Sequence, residues 1–245
     1  MKRVGLFSDI HANLAALTAI VDCLDEAGCD TLICCGDTVG YGPQPVECVH
    51  LLREREIPCV LGNHDHYVTL VMDPRLERLR EDVRLTILWS QEQMSMDDLR
   101  WIAQLPRKLD FDGFGVVHGA FGPKQWLYLT NEASIAYNFK YQEPPLGFCG
   151  HSHVPLMATI VPDMPPTINY LKGSSPIPAD AKTMVNVGSV GQPRDYDPRA
   201  MCVIYDVEEQ TITPKRVPYD IEATQALMRE NDLPERSIVR IELGR

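Results

Sequence analysis

The sequence lacks most features of a secreted, membrane-spanning or nucleic-acid-binding protein. Its eight cysteines include no CxxC pair, and most of them lie in apolar surroundings, which favours reduced thiols over disulfides. No apolar run is long enough for a membrane span or a signal peptide. Only 23 basic residues face 34 acidic ones, and the net charge of -11 argues against broad electrostatic capture of nucleic acid. These absences predict a cytoplasmic protein with no membrane partner and with nucleic acid disfavoured.

The order of strands and helices predicts an α/β fold. The chain has 245 residues, of which 44% are hydrophobic, and is long enough for one sizeable core. Its first part alternates short apolar runs with helical periodicity, which implies parallel strands and right-handed crossovers: strands at 4–7, 31–35 and 59–61, and helices at 14–24 and 45–55. Later segments predict further helices and antiparallel strands. We therefore predict a single domain over residues 1–245, a four-layer α/β/β/α sandwich of two mixed sheets flanked by helices.

Five short motifs that follow predicted strands carry the residues of chemical interest. They include five of the seven histidines, and each offers an oxygen or nitrogen ligand: Asp9-Ile10-His11, Gly36-Asp37, Gly62-Asn63-His64-Asp65, His118-Gly119 and Gly150-His151-Ser152-His153. In an open α/β sheet the strand ends open into a crevice where ligands bind. One such histidine would be unremarkable, but five at equivalent positions indicate a common site.

The spacing within these motifs favours a metal centre. Residues two apart on an extended strand exit, such as His151 and His153, point toward the same side. Asp37 follows a glycine and can approach closely, and a carboxylate with two oxygens can bridge two cations. Two cations roughly 3.5–4 Å apart can clamp both the attacking and the leaving oxygen at phosphorus. Mixed nitrogen and oxygen ligands without thiolate predict two transition metal ions, Mn, Fe, Zn or Ni.

In this order, the five motifs resemble the calcineurin-like metallophosphoesterase superfamily. The match runs from about residue 4 to 155, and Asn186-x-Gly188-Ser189 with Pro193-Arg194 fits the family's terminal strand region. The resemblance implies a first metal held by Asp9, His11 and His153, a second held by Asn63, His118 and His151, and Asp37 shared between them. It also implies that His64 is not a ligand but lies beside the scissile phosphate, where it stabilises charge or protonates the leaving oxygen.

One departure from the family separates this chain from its Ser/Thr protein phosphatases. Those enzymes have Asp, Arg and Gly shortly after the bridging aspartate, whereas this chain has Gly40-Tyr41-Gly42. The missing Asp would orient the catalytic histidine, and the missing Arg would hold phosphate. The sequence is therefore more similar to the compact bacterial and archaeal phosphodiesterase branch. Asp65 is a candidate to orient His64 instead, with surface solvation or helix capping as alternative roles.

Two further residues are candidates for substrate contact. The guanidinium of Arg194 matches phosphate oxygens, although a loop salt bridge with Asp195 or Asp197 is the simpler interpretation. Tyr41 and its glycine-rich loop form either one wall of the pocket or a plain turn. The proline-rich stretch from Pro162 to Pro178 is predicted to be a long loop or an irregular hairpin. We interpret it as a surface insertion rather than as a lid or an oligomer contact.

The predicted function is dinuclear metal-dependent hydrolysis of small phosphate esters. A metal-bound hydroxide would attack a phosphodiester or phosphomonoester, and His64 would assist the leaving group. One alternative is a non-catalytic, metal-binding protein-interaction scaffold, which would be expected to lose ligands or the catalytic imidazole. A structure-specific nuclease shares the metal chemistry, but the chain has no basic or aromatic stripe. A phosphoprotein phosphatase is disfavoured by the Gly40-Tyr41-Gly42 departure.

Overall fold

Two mixed β-sheets form the centre of the protein in a computed structural model that describes residues 2–245. The first sheet has the order β2-β1-β10-β11-β8, with strands Thr31–Cys34, Arg3–Phe7, Ala200–Asp206, Thr211–Val217 and Ser175–Pro176. β1 and β2 run parallel, as the strand–helix–strand order predicts. β10 pairs antiparallel with both β1 and β11, which makes the sheet mixed.

The second sheet has the order β3-β4-β5-β9-β6-β7. Its strands are Lys108–Phe111, Phe114–Val117, Leu146–Cys149, Lys182–Asn186, Leu156–Ile160 and Thr167–Tyr170. β4, β5 and β9 are parallel, and the remaining pairs are antiparallel. β6 and β7 form a hairpin through the first part of the proline-rich stretch, which agrees with the predicted irregular hairpin.

Successive side chains of a strand point to opposite faces of the sheet, and here each face packs into a different apolar layer. On β10, Val203 and Tyr205 point into the core between the sheets, whereas Cys202 and Ile204 point to the outer face of the first sheet. Val203 is fully buried, and burial of such a side chain contributes about 1.5–3 kcal/mol to stability. Because both faces of these strands are covered, their runs are continuously apolar rather than alternating.

Helices cover the outer faces of both sheets, and this confirms the predicted fold class. α1 (Leu14–Glu26) packs on the first sheet and begins at Asn13, whose side chain accepts a hydrogen bond from the backbone N–H of Ala16. α6 (Glu132–Tyr141) packs on the second sheet. The other helices are α2 Pro45–Glu54, α3 Asn63–Val68, α4 Glu81–Gln93, α5 Met96–Ala103, α7 Ile221–Glu230 and α8 Glu235–Leu243.

The structure corrects some of the sequence-based elements. The strand predicted at 59–61 is reduced to a single parallel bridge between Cys34 and Cys59. The pairing does not extend because Pro58 has no N–H to donate on one side, and on the other side the N–H of Gly62 donates to Oδ2 of Asp65. Helices α3 and α8 and a 3-10 helix at Pro74–Arg78 were not predicted. α3 is only six residues long, too short for a periodic signal.

Candidate metal centre

The predicted strand-exit residues come together in one buried cluster beyond the ends of β1, β2, β4 and β5. Possible ligand atoms lie within 4.8 Å of one another in three overlapping groups: Asp9, His11 and His153; Asp37, His118 and His151; and His11, Asp37 and His64. Residues with left-handed backbone conformations follow three of the four strands, β1, β2 and β5. The arrangement is the crevice expected where strands of an α/β sheet end.

Asp37 connects the histidines of the first group to those of the second. Its Oδ2 is 3.8 Å from Nε2 of His11 and 3.3 Å from Nε2 of His118. Its Oδ1 accepts a hydrogen bond from the backbone N–H of His64 at 2.8 Å, at the first turn of α3. Asn63 Oδ1 lies 3.1 Å from Nε2 of His118, on the side of the second group. One carboxylate oxygen therefore faces both groups.

Main-chain carbonyls orient the imidazole rings in a way that suits these rings to bind metal. Nδ1 of His11 is 3.1 Å from the carbonyl of Val39, and Nδ1 of His153 is 2.5 Å from that of Gln192. When Nδ1–H donates to a carbonyl, Nε2 keeps its lone pair. The two Nε2 lone pairs then face each other with the nitrogens 3.2 Å apart, and a cation bound by both would relieve this repulsion.

The second group repeats this arrangement. Nδ1 of His118 faces the carbonyl of Cys35 at 2.8 Å, and Nε2 of His151 faces the carbonyl of Trp126 at 3.0 Å. The remaining ring nitrogens, Nε2 of His118 and Nδ1 of His151, are 3.2 Å apart. Each group therefore directs two imidazole nitrogens and a carboxylate at one point, which is a donor set that suits a transition metal ion.

Asp9 supplies an oxygen with no hydrogen-bond partner among residues 2–245. This buried Oδ1 lies 3.1 Å from Nε2 of His153 and 3.8 Å from Nε2 of His11. Its other oxygen, Oδ2, accepts a hydrogen bond from the backbone N–H of His151 at 2.9 Å. A buried carboxylate oxygen without a donor is costly unless a cation compensates it. The residues present therefore fit the metal ions that the resemblance implies.

Burial and mutual charge set the ionisation of the cluster. Burial lowers the pKa of His11 and His153, and it lowers that of His151 to about 3, so these rings are neutral at pH 7. Burial opposes the charged form of Asp37 as well, but the neighbouring histidines, His118 first, hold its pKa well below the usual range. His118 is the exception: burial opposes its protonation, yet Asp37 raises its pKa to about 10.

Left-handed backbone conformations aim the side chains at the cluster. φ is 54° at Asp9, 49° at His11, 55° at Asp37, 66° at His151 and 60° at His153. The sequence-based reason for convergence, an extended exit with residues two apart on one side, is therefore wrong, although the side chains do converge. Non-glycine residues in this region are uncommon and indicate local strain.

His64 and Tyr41 lie beside the first group. The ring of His64 is 4.7 Å from that of His11 and 4.6 Å from that of Tyr41, and Tyr41 is 4.7 Å from His11. Among residues 2–245, Nδ1 of His64 has no hydrogen-bond partner. Burial lowers the pKa of His64 to about 4, with Asp37 opposing the shift and Arg194 adding to it. A Cβ at Gly40 would collide with His64, so the glycine-rich loop rests directly on this imidazole.

Asp65 does not orient His64. It is fully buried, its Oδ2 accepts a hydrogen bond from the N–H of Gly62, and its Oδ1 accepts from Thr38 and Val39. Asp65 therefore caps α3, as one of the alternative predictions stated, and it also fixes the loop after Asp37. The other alternative, that Asp65 is a solvated surface residue, is wrong. Burial and the charge of Asp37 raise the pKa of Asp65 to about 7.

Arg194 does not form the loop salt bridge that was the simpler interpretation. Asp195 pairs with Arg216, and Asp197 pairs with Arg199. Arg194 instead donates from Nη2 to Oε1 of Gln192 at 3.1 Å, and its buried Nε has no partner among residues 2–245. Its charge lowers the pKa of His64 and of His153, so the guanidinium lies near the cluster.

Some residues at the site were not found from the sequence. The exposed ring of Tyr128 stacks on His151 with centroids 4.1 Å apart, and the ring of Trp126 lies 5.8 Å from that of His118. Both belong to the irregular loop after β4, which has no periodicity to indicate where its side chains point. Trp89 and Trp101 lie outside the site and pack against apolar clusters.

Comparison with known proteins identifies the family. The model of the calcineurin-like phosphoesterase superfamily domain matches residues 1–210, which is most of the chain. The protein belongs to the calcineurin-like phosphoesterase superfamily. The chain is similar to an uncharacterized protein of Methanocaldococcus jannaschii, with 33% identity over 249 residues that cover 100% of this chain and 99% of the relative.

Solved structures agree with this assignment. A metallophosphoesterase from Sphaerobacter thermophilus is 36% identical, with a TM-score of 0.85, and the match covers 100% of this chain and 99% of the other. A hypothetical protein from Pyrococcus horikoshii is 19% identical with a TM-score of 0.80 over 100% and 99% of the two chains, and it shares the fold. The chain is thus a metal-dependent phosphoesterase, a hydrolase with His and Asp clusters suited to metal. None of its helices in residues 2–245 is both long and apolar enough to cross a bilayer.

Proposed function

We propose that the protein hydrolyses small phosphate esters with two metal ions. The observation that carries this proposal is the position of Asp37, whose Oδ2 faces both imidazole groups at 3.3 and 3.8 Å. Asp9, His11 and His153 would hold one ion, and Asn63, His118 and His151 the other, with Asp37 shared. The ions would supply Lewis acidity toward the phosphoryl oxygens and lower the pKa of a coordinated water.

The residues that would hold the ions are preorganised by the chain. The carbonyls of Val39, Cys35, Trp126 and Gln192 fix four imidazoles in single ring orientations. Such outer partners keep the ligand nitrogens in place and increase their basicity. Because the cluster is buried, the charge of Asp9 and Asp37 acts in a low-dielectric environment, which strengthens its attraction for cations.

His64 would act on the leaving group. Each of the four proposed ligand imidazoles has one ring nitrogen facing a main-chain carbonyl, whereas Nδ1 of His64 has no partner among residues 2–245. A ring without a fixed acceptor can take up and release a proton. An adjacent phosphate would favour the protonated ring through its negative charge, and a positioned imidazolium can protonate a departing oxygen.

Arg194 would hold the scissile phosphate. Its Nε has no hydrogen-bond partner among residues 2–245, and its charge lowers the pKa of His64, the proposed proton donor. Planar guanidinium matches two phosphate oxygens at once. Tyr41, whose ring lies edge-on to that of His11 and tilted against that of His64, would form the adjacent wall of the pocket.

Hydrolysis of bis(p-nitrophenyl) phosphate with added Mn²⁺ tests the proposal. We expect the wild type to turn over and His64→Ala to lower kcat by about 10²–10⁴-fold, the usual contribution of general acid–base catalysis. Metal per chain, measured by inductively coupled plasma spectrometry, should stay at the wild-type value. His66→Ala is the matched control, because His66 lies on the same helix but outside the cluster.

Different results would contradict the role of His64 and the phosphoesterase activity itself. Full turnover in His64→Ala would show that the leaving group departs without this imidazole. A wild type that binds metal but hydrolyses no mono- or diester would favour the interaction-scaffold alternative. A panel that includes p-nitrophenyl phosphate alongside the diester separates phosphatase from phosphodiesterase activity.

A further inference from the structure

The ring of Tyr128 lies against the proposed metal centre and yet remains largely exposed. One face stacks on the imidazole of His151, with the ring centroids 4.1 Å apart and an angle of 22° between the ring planes. Tyr128 is 48% exposed, and no other aromatic ring among residues 2–245 stacks on it. Because His151 covers the first face, the exposed area lies on the edges and the second face of the ring. Such a face can take up another planar ring by stacking.

The backbone on both sides of Tyr128 is anchored. Before it, the carbonyl of Trp126 lies 3.0 Å from Nε2 of His151, and Leu127 packs against the apolar cluster beneath α6. After it, Leu129 is buried in the same cluster. A ligand that stacks on Tyr128 therefore meets a surface that the fold already holds in place, so its binding costs little ordering of the loop.

Tyr128 and His64 lie at different imidazole groups. Tyr128 contacts His151, a proposed ligand of the second metal ion, whereas the ring of His64 lies 4.7 Å from that of His11, a proposed ligand of the first. If His64 protonates the leaving oxygen as proposed, the leaving group departs on the side of the first group. Tyr128 is then beside the ester group that stays on phosphorus.

We propose that Tyr128 is a stacking platform that selects phosphodiesters whose retained ester group carries a planar aromatic ring, either a nucleobase or a simple aryl ring. The substrate ring would stack on the face of Tyr128 that is turned away from His151. An aliphatic side chain at this position would offer apolar contact alone, whereas tyrosine adds a preference for planar rings. This inference rests on the proposed phosphoesterase function and names a substrate class within it.

Two pairs of diesters with the same p-nitrophenolate leaving group test the platform. In the first pair, the retained group is thymidine, esterified through its 5′ oxygen, or the same sugar without the base. In the second pair, it is a benzyl or a cyclohexylmethyl group. We expect the aromatic ring to raise kcat/KM of the wild type about fivefold or more in at least one pair, as a stacked base does. A preference in the first pair assigns a nucleobase, and a preference in the second pair alone assigns a simple aryl ring.

Substitutions at Tyr128 show whether its ring causes the preference. Tyr128→Leu should bring the ratio of kcat/KM within the pair close to one, whereas Tyr128→Phe, which retains the ring, should keep the ratio. Tyr170→Leu is the matched control, because Tyr170 is 65% exposed on β7 and belongs to none of the ligand groups. A substitution that only disturbs His151 would lower kcat/KM of both esters in a pair equally and leave their ratio unchanged.

Ratios near one for both pairs in the wild type would overturn the proposal, and so would a wild-type ratio in Tyr128→Leu. If the wild type hydrolyses no diester, the proposed function fails instead. Calorimetric titration of thymidine 5′-phosphate, benzyl phosphate and their two counterparts without an aromatic ring into the manganese-loaded protein then decides the platform by itself. A lower Kd for an aromatic member that Tyr128→Leu abolishes supports stacking, and equal or undetectable binding within both pairs overturns it.

Discussion

Strain at single residues is concentrated where the proposed ligands lie. Asp9, His11, Asp37, His151 and His153 all have positive φ, and a left-handed non-glycine residue costs about 1–3 kcal/mol. Hydrogen bonds between the strand-exit loops hold them there, such as the N–H of Asp9 to the carbonyl of Gly36 at 2.9 Å and the N–H of His11 to that of Asp37 at 3.0 Å. The surrounding fold thus maintains conformations that the isolated segments would avoid.

Gly62 shows how little room these loops leave. Its φ is -88°, so the need for glycine is steric and not conformational. A Cβ built at this position would collide with the backbone nitrogen and Oδ1 of Asp37. Any larger residue must therefore push Asp37 away from the imidazoles or move the start of α3.

We predict that Gly62→Ala lowers both the free energy of unfolding and the metal content. Overpacking of this kind costs about 1–3 kcal/mol, and displacement of Asp37 should reduce Mn²⁺ per chain below the wild-type value. Urea denaturation and metal analysis measure the two effects. Gly173→Ala is the matched control, because nothing lies within 4 Å of a Cβ there, and its stability should change by no more than about 0.5 kcal/mol. Equal metal content in the two variants would contradict the steric explanation.

At the scale of elements, helix α5 depends on one buried carboxylate. Asp98 is the N3 residue of α5 and closes its capping box, and its Oδ2 accepts hydrogen bonds from the N–H of Ser95 at 3.1 Å and from the hydroxyl of Ser95 at 2.6 Å. Its Oδ1 accepts from Arg53 Nη1 at 3.0 Å and lies 3.1 Å from Nε2 of His50. The side chain is only 4% exposed, so it joins α5 to α2 inside the protein.

We predict that Asp98→Asn destabilises the protein by about 1–3 kcal/mol at pH 7, because it removes a cap and a partly buried charge pair. Asp97→Asn is the control: it lies on the same helix, but its side chain is 76% exposed and, within residues 2–245, forms an ion pair only with Arg100, so a change within about 0.5 kcal/mol is expected. Both variants are to be compared with the wild type by urea denaturation. A similar loss in both would show that Asp98 acts only through surface charge.

The pH dependence of this effect follows from the pKa of Asp98. Burial raises it, but the hydrogen bonds from Ser95 and His50 outweigh burial and hold it below its ordinary value. The folded state thus binds the proton less tightly than the unfolded state, and the contribution to stability is complete above the unfolded pKa of about 3.9. It is lost as the pH falls through the folded value. The difference between wild type and Asp98→Asn should therefore shrink below pH ~4, and a constant difference down to pH 3 would contradict this mechanism.

For the whole molecule, the proposed metal centre ties distant parts of the chain together. Asp9 precedes His153 by more than half of the chain, and the ligand loops leave strands of both sheets. Two buried carboxylates, Asp9 and Asp37, oppose folding unless cations compensate them. Metal binding to the folded state alone should therefore stabilise the entire fold.

We predict that Mn²⁺ at ~100 times its Kd stabilises the protein by about 2.7 kcal/mol. For a chain of this size, that corresponds to a rise in Tm of about 5–10 °C, measured by differential scanning calorimetry. Addition of EDTA should reverse the rise, and Asp37→Asn should abolish most of it. A Tm that does not respond to Mn²⁺, or an equal rise in Asp37→Asn, would show that the cluster does not bind this metal as proposed.

Much of this protein could be predicted from the sequence because the deciding information is local. Apolar runs of four to five residues fix the strands, and helical spacing together with Asn13 fixes α1. A polar residue placed directly after a buried strand must emerge at the sheet edge, which brings Asp9, Asp37 and His118 together whatever the loops do. The family and fold class follow from these patterns and are confirmed, whereas the single-domain boundary over residues 1–245 stays a prediction.

The rest was decided only by the tertiary structure, because it depends on contacts between segments far apart in the chain. No local pattern predicts that His151 would adopt φ of 66°, since that conformation is held by hydrogen bonds from other loops. The carbonyls that orient the imidazoles carry no sequence signal, because every residue has one. The packing of α8 against Trp89 of α4 likewise joins segments that are far apart in the chain. The positions of the strands and the types of ligand residue are thus determined by neighbouring residues in the sequence. The direction of each side chain is determined by tertiary packing.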